Sequence, residues 1–391
     1  MSINDPRNPS ASAAPLALYV HWPFCVSKCP YCDFNSHVRD RIDTDAWRAA
    51  LLADMAHEAT LTAGRPLSSI FFGGGTPSLM PPALVADLIA AADGHWGLAP
   101  GVEITLEANP NSVEAARFAD LAAAGVNRVS LGLQALDNEA LHFLGRAHDV
   151  DEGLAALDTA QQVFDRISFD LIYARPGQSE ADWQAELARA LAFGTDHLSL
   201  YQLTIEPGTR FATLVAQGKL TPADPDHGAT LYELTQAMTG KAGIPAYEIS
   251  NHARAGQESR HNLTYWRYGD YIGIGPGAHG RRTGKATLRH KKPENWMSAV
   301  TRNRHGTQSE QPLTGEDRAR EALLMGLRLT EGVDLDRIAA LSGISVPHLV
   351  DERTIDQLID IGLLHRRDAR LQVSAAGMLL LDAILPEIVT V

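Results

Sequence analysis

The sequence predicts an α/β chain built on a parallel sheet, followed by a smaller helical, winged-helix-like domain. Three observations carry this. Strand-like apolar runs alternate with helical runs six times before about residue 210, and strands separated by helices pair in parallel through right-handed crossovers. The runs lead into glycine, proline or polar residues, as strands do where they turn into helices. After about residue 300 the pattern changes to helices and one short hairpin. With 391 residues the chain exceeds one ordinary domain, and 45% hydrophobic content supplies a large core.

Residues 1–15 lack the basic start and apolar centre of a signal peptide and are expected to form a disordered tail. Leu16-Ala-Leu-Tyr-Val-His-Trp-Pro reads as the first strand. Ser69-Ile-Phe-Phe then leads into Gly73-Gly-Gly-Thr-Pro77, and Val102-Glu-Ile-Thr-Leu into Glu107. Arg128-Val-Ser-Leu-Gly-Leu leads into Gln134, Ile167-Ser-Phe-Asp-Leu-Ile-Tyr into Pro176, and Leu198-Ser-Leu-Tyr-Gln-Leu-Thr into Glu206. Between them lie stretches such as residues 83–92, apolar at helical spacing. These elements are assigned to a domain spanning 16–300. Residues 301–391 form the second, with helices over 316–329, 334–341 and 347–361, a hairpin through Leu364 and Leu371, and a last helix ending near 384. The intervening segment 281–304 is basic.

The net charge of −13 argues against a general polyanion binder. No apolar run reaches the roughly 20 residues of a membrane span, so the only membrane association allowed is peripheral. All three cysteines fall within Cys25-Val-Ser-Lys-Cys29-Pro-Tyr-Cys32. An odd, clustered set cannot form a disulfide framework, which points to a reducing, cytoplasmic compartment. Three chemistries fit the spacing. The thiols are inert core residues; they bind zinc with His21 or His37 as fourth ligand; or they hold an iron–sulfur cluster that normally takes four cysteines, leaving one iron open.

The flanks of that stretch narrow the choice. Tyr19-Val-His-Trp-Pro-Phe-Cys25 followed by Cys29-Pro-Tyr-Cys32-Asp-Phe resembles the radical SAM superfamily. Within it, the match is to the branch of oxygen-independent coproporphyrinogen III oxidase and the HemW-type haem chaperones. The resemblance extends from about residue 16 to 385. It implies an incomplete (β/α)6 barrel, a [4Fe–4S] cluster on Cys25, Cys29 and Cys32, and S-adenosyl-L-methionine (SAM) at the open iron. Carried over position by position, it puts Tyr19, Gly74 and Glu107 around a first SAM. Tyr31, Gly75, Thr76, Gln134, Arg146, Asp170 and Thr204 would surround a second. Singly these are ordinary turn, cap or surface residues; as a set they fall at or just beyond successive strand ends, where barrels build sites. A carboxylate suits ribose hydroxyls or an ammonium, and an arginine suits a carboxylate.

His261-Asn-Leu-Thr-Tyr-Trp266 resembles a motif associated with haem binding in the chaperones, which makes His261 a candidate haem contact; from the residues alone it reads as a core-packing cluster with a hydrogen-bonded histidine. Two departures pull toward the chaperones and away from the oxidase. Phe34 stands where the oxidase has a further cysteine, and Ala174-Arg175 replaces Gly-Leu. The resemblance therefore implies a chaperone that carries haem as cargo to haem-accepting proteins, with a homodimer allowed. The alternative it implies is SAM-radical oxidative decarboxylation of coproporphyrinogen III, in porphyrin biosynthesis. A nucleic-acid regulator built on the C-terminal module is disfavoured, because from Glu316 onward thirteen acids face eight Lys and Arg.

Overall fold

The computed structural model describes residues 16–39 and 41–391; the tail expected over 1–15 lies outside them. The six predicted strands form at β1 Leu16–Trp22, β2 Leu67–Gly74, β3 Leu98–Ala108, β4 Arg128–Gln134, β5 Arg166–Tyr173 and β6 His197–Gln202. They pair in parallel in that order. Successive side chains alternate across the sheet. Leu18, Val20, Phe72, Leu106, Leu131 and Leu171 face outward into the main core beneath the helices. Tyr19, Ser69, Glu103, Glu107, Arg128 and Asp170 take the opposite parity and face the lumen.

The sheet runs further than the six units. The short strand β7 Asn251–Ala253 pairs antiparallel with β6. On the other side β8 Tyr271–Ile274 pairs parallel with β1, and β9 His279–Arg282, β10 Lys285–Arg289 and β11 Thr307–Pro312 follow antiparallel. The sheet order is thus β11-β10-β9-β8-β1-β2-β3-β4-β5-β6-β7. Its last strand reaches Pro312, beyond the boundary expected at residue 300. The basic segment is largely internal. Arg282 and Arg289 both engage Glu58 on the helix Thr44–Leu61, Arg289 at 2.6 Å, with all three side chains almost fully buried.

The C-terminal module runs helix Gly315–Gly326, strand Val333–Asp334, helix Leu335–Ser342, helix Glu352–Asp360 and hairpin Leu364–Arg367/Arg370–Val373. Its three strands form one sheet, which completes a winged-helix order. Thr314 and Asp317 close a reciprocal cap at the first helix. The module docks on the barrel through Tyr268 Oη donating to Glu321 (2.7 Å) and the Arg267–Glu331 ion pair (2.7 Å). No helix among the described residues is long and apolar enough to cross a membrane.

The floor of the lumen is held by Glu103, 1% exposed on β3. Its carboxylate accepts from Arg166 Nη1 (2.5 Å) and from the backbone N–H of Arg260 (3.2 Å) and His261 (3.1 Å). It therefore fixes the N-terminus of helix Arg260–Trp266 inside the barrel. Burial alone would raise this carboxyl; the Arg128 and Arg166 guanidiniums and the two N–H donors bring it below its ordinary value. Glu103→Gln leaves buried guanidinium charge uncompensated and should cost about 3–5 kcal/mol at pH 7 by urea unfolding. The wild-type contribution is full above the unfolded carboxyl pKa of about 4.3 and is lost as pH falls through the lower folded value. The variant should lack that acid-sensitive component.

Candidate functional site

The cysteine loop leaves the C-terminal end of β1 and is tied down on both flanks. Phe24–Cys25 pairs with His37–Val38. Asn35 Nδ2 donates to the carbonyls of Pro276 and Lys291, both at 2.9 Å. The Phe211 N–H donates to the Pro30 carbonyl (3.0 Å). Between these anchors Cys25, Cys29 and Cys32 are half-buried and free. Burial pushes the Cys25 and Cys32 thiols up. Thr76 Oγ1 donates to Cys25 Sγ and Arg146 Nη1 to Cys29 Sγ, each at 3.5 Å. Among the described residues, no group of three or more His, Cys, Asp or Glu side chains is arranged to hold a single metal ion. The two histidines considered for zinc are engaged elsewhere. His21 hydrogen-bonds Tyr19 Oη (3.1 Å) and the Asn35 carbonyl (2.9 Å), and His37 bonds Asn35 Oδ1 (3.3 Å).

Opposite the loop, Gly73–Gly75 ends β2 in a shape that excludes side chains. Gly74 has φ +118°, and a Cβ there would lie 2.7 Å from the His21 ring; one on Gly75 would lie 2.6 Å from the Phe24 carbonyl oxygen. The Gly74 N–H donates to Glu107 (3.2 Å). Arg146 Nη2 donates to Asn109 Oδ1 (2.6 Å) and the Gly132 carbonyl (3.0 Å), while its buried Nε has no partner. Gln134 reaches the same space from a left-handed backbone, φ +68°, a strained conformation that recurs where a site over-determines the chain. Burial, and then the neighbouring Asp170, raises Glu107 to about 8; burial raises Asp170 to about 6.

Two adjoining cavities result. The inner one, about 220 Å³, is lined by all three cysteines with Tyr31, Gly74, Gly75, Thr76, Glu107, Gln134, Arg146 and Asp170. The outer one, about 810 Å³, shares Tyr31, Cys32, Phe34, Glu107, Gln134 and Asp170 and extends to Thr204, Arg328 and Met378–Ala383. Most of the residues predicted for SAM thus meet at one place despite wide separation in sequence. Thr204 belongs to the outer cavity alone, and Tyr19 lines neither, because its hydroxyl turns back to His21. Asn109, Ser130 and His148 line the inner cavity without having been predicted. Asn109 stands in the same Leu106-Glu-Ala-Asn-Pro110 run as Glu107, and its role follows from its bond to Arg146.

The structure places His261, the expected haem contact, in the packed core of the barrel. It is 1% exposed, its Nδ1 meets Ser69 Oγ (2.9 Å), its Nε2 meets Tyr265 Oη (2.5 Å), and its ring stacks on Phe71. Burial lowers its pKa to about 3. Both nitrogens are occupied and it lines neither cavity, so it anchors the inserted helix.

Comparison with known proteins agrees with this geometry. The model of the Radical SAM superfamily matches residues 19–190, and that of the HemN C-terminal domain matches residues 313–380, starting just past β11. The chain is 42% identical to bovine (Bos taurus) "Radical S-adenosyl methionine domain-containing protein 1, mitochondrial", over 84% of this chain and 76% of that protein. It is 36% identical to "Heme chaperone HemW" of Escherichia coli (strain K12), over 95% of this chain and 97% of that one. The solved structure of Escherichia coli coproporphyrinogen III oxidase (HemN), described as a radical SAM enzyme, superposes with a TM-score of 0.82 at 25% identity, covering 96% of this chain and 90% of that one.

Two outcomes check the site. His261→Ala should lower stability by about 2–4 kcal/mol in chemical unfolding, because it leaves a cavity and strips Ser69 and Tyr265 of their buried partner. Glu107 has a folded pKa raised to about 8, so its stabilising contribution is full below about 4.3 and is lost as pH rises to about 8. Melting temperature in ligand-free protein should therefore fall between pH 5 and 9 by more in wild type than in Glu107→Gln, which mimics the protonated acid. Identical profiles would refute the raised value.

Proposed function

Since the chain belongs to the HemW branch of the radical SAM superfamily, we propose that it is a cytoplasmic haem chaperone that holds a [4Fe–4S] cluster and SAM and passes haem to acceptor proteins. The observation that carries this reading is the continuity of the cysteine cavity with the wider, partly apolar one, through Cys32 and Phe34. Cys25, Cys29 and Cys32 would hold the cluster, which when bound leaves one iron open to the amino and carboxylate groups of SAM. The donor set fits such a ligand. Arg146 offers an unpartnered buried Nε to a carboxylate, Glu107 and Asp170 offer acceptors to an ammonium or hydroxyls, and the glycine end of β2 leaves room for close approach. A reducing cytoplasm keeps the three thiols free for iron.

Phe34 bears on the choice between carrying haem and decarboxylating its precursor. The side chain next to the cysteine loop is a phenyl ring, 59% exposed, which can cover an apolar ring but cannot exchange a proton. The discriminating experiment is anaerobic reconstitution of wild type and of the Cys25→Ser, Cys29→Ser and Cys32→Ser variants, followed by haem titration and a coproporphyrinogen III assay. Wild type should gain iron, sulfide and a brown chromophore and bind haem stoichiometrically; each variant should lose the chromophore. Full iron and sulfide in the triple variant would refute the cluster assignment. Sustained SAM-dependent carbon dioxide release from coproporphyrinogen III would establish the oxidase reading in its place.

A further inference from the structure

We infer, resting on the haem reading above, that the tetrapyrrole sits in the outer cavity between barrel and winged-helix module, and that Arg328 pairs with one of its propionates. The cavity's volume, about 810 Å³, lies within the roughly 300–1,000 Å³ of small-molecule and cofactor sites. Its walls are apolar on opposing sides. Phe34 and Tyr201 belong to the barrel side, Leu379 and Leu380 to the C-terminal module, and they are 59%, 41%, 37% and 49% exposed. Eleven large hydrophobic residues are exposed among the described residues, and these four line this one space. Such a concentration marks a ligand surface, whereas scattered exposed side chains do not. A flat, apolar macrocycle fits between two apolar walls.

Arg328 supplies the polar end. It lines the cavity, has no carboxylate within ion-pair distance among the described residues, and its buried Nε lacks a partner. Its guanidinium lies over the Trp266 indole at 5.4 Å, within cation–π range, so the side chain is supported without being neutralised. The carboxyl that feels its charge, Glu248, is buried, held above its ordinary value by that burial, and bonded to Asn251. The other acids on the cavity are Glu107 and Asp170 on the side shared with the inner cavity, together with Asp33, Glu206 and Asp382. Asp33, Glu206 and Asp382 repel propionates, so the acid groups of the ligand turn to Arg328. The His261–Trp266 segment then serves the cavity through Trp266, which carries the arginine, while His261 secures the helix beneath. No histidine lines the cavity.

The test uses full-length, cluster-reconstituted protein under anaerobic conditions and compares haem with haem dimethyl ester, whose propionates carry no charge, by absorbance titration. Wild type should bind haem more tightly than the ester. Arg328→Gln should weaken haem about tenfold or more, the loss of one charge-assisted pair, and leave ester affinity unchanged. Arg328→Lys should recover part of the difference, and Phe34→Ser should weaken both ligands. Equal wild-type affinity for the two ligands, or an unchanged haem affinity in Arg328→Gln, would overturn the placement and leave the chaperone reading standing. A wild type that binds no haem at all would overturn both.

Discussion

The architecture depends on a carboxylate buried at the floor of the barrel. A lumen lined by parallel strands with polar inward side chains is stable only if every buried charge finds a partner. Glu103 does this for β3 and β5 and for the inserted helix together, by accepting from Arg166 and from the first N–H groups of Arg260–Trp266. With the helix fixed, His261 fills the space against Ser69 and Phe71, and Trp266 is brought under Arg328. The outer cavity thus takes part of its wall from a contact made at the opposite end of the lumen.

Four residues along the same strand, and on the same face, the balance reverses. Glu103 is held ionised by Arg128, Arg166 and backbone donors, whereas Glu107 faces Asp170 and a single N–H and is raised to about 8. One strand carries an ionised carboxylate at the floor and a largely neutral one beside the cysteines, because two guanidiniums and two backbone N–H groups offset burial at Glu103, whereas burial and Asp170 prevail at Glu107. A cationic ligand at the mouth would find acceptors whose ionisation it favours, so its binding would release protons. The geometry separates a structural carboxylate from a site carboxylate without any difference in residue type.

Much of this was legible in sequence. The period of the apolar runs located all six barrel strands, and the polar residues at their ends did meet around the cysteine loop. What escaped depends on partners distant in the chain. The basic run of 281–304 names none of its partners in sequence, and Arg282 and Arg289 are buried on Glu58, more than 220 positions earlier. Strand β8 is four residues long and glycine-containing, too short for a period, and exists because it pairs with β1. His261 could not be classed as ligand or packing residue without knowing that Ser69 and Tyr265 take both ring nitrogens. Ala174 holds a left-handed φ of +55°, a strain that residue type alone conceals.

A cargo protein has a different physical problem from an enzyme. It must shield an apolar dianion from water without a bond that prevents its transfer. Opposed walls contributed by two domains meet that requirement, because the area they remove from water stabilises the ligand roughly in proportion to contact and vanishes when the walls part. The module that forms one wall meets the barrel through polar contacts that include Tyr268–Glu321 and Arg267–Glu331, and through apolar ones, with Tyr268 and Ile249 against the module's core and Leu329 against Tyr247, Leu263 and Trp266. A single unneutralised arginine adds orientation at one edge. The same polypeptide then combines a cysteine loop anchored on both flanks with a wider cavity walled by both the barrel and the C-terminal module, and the two spaces adjoin at Cys32.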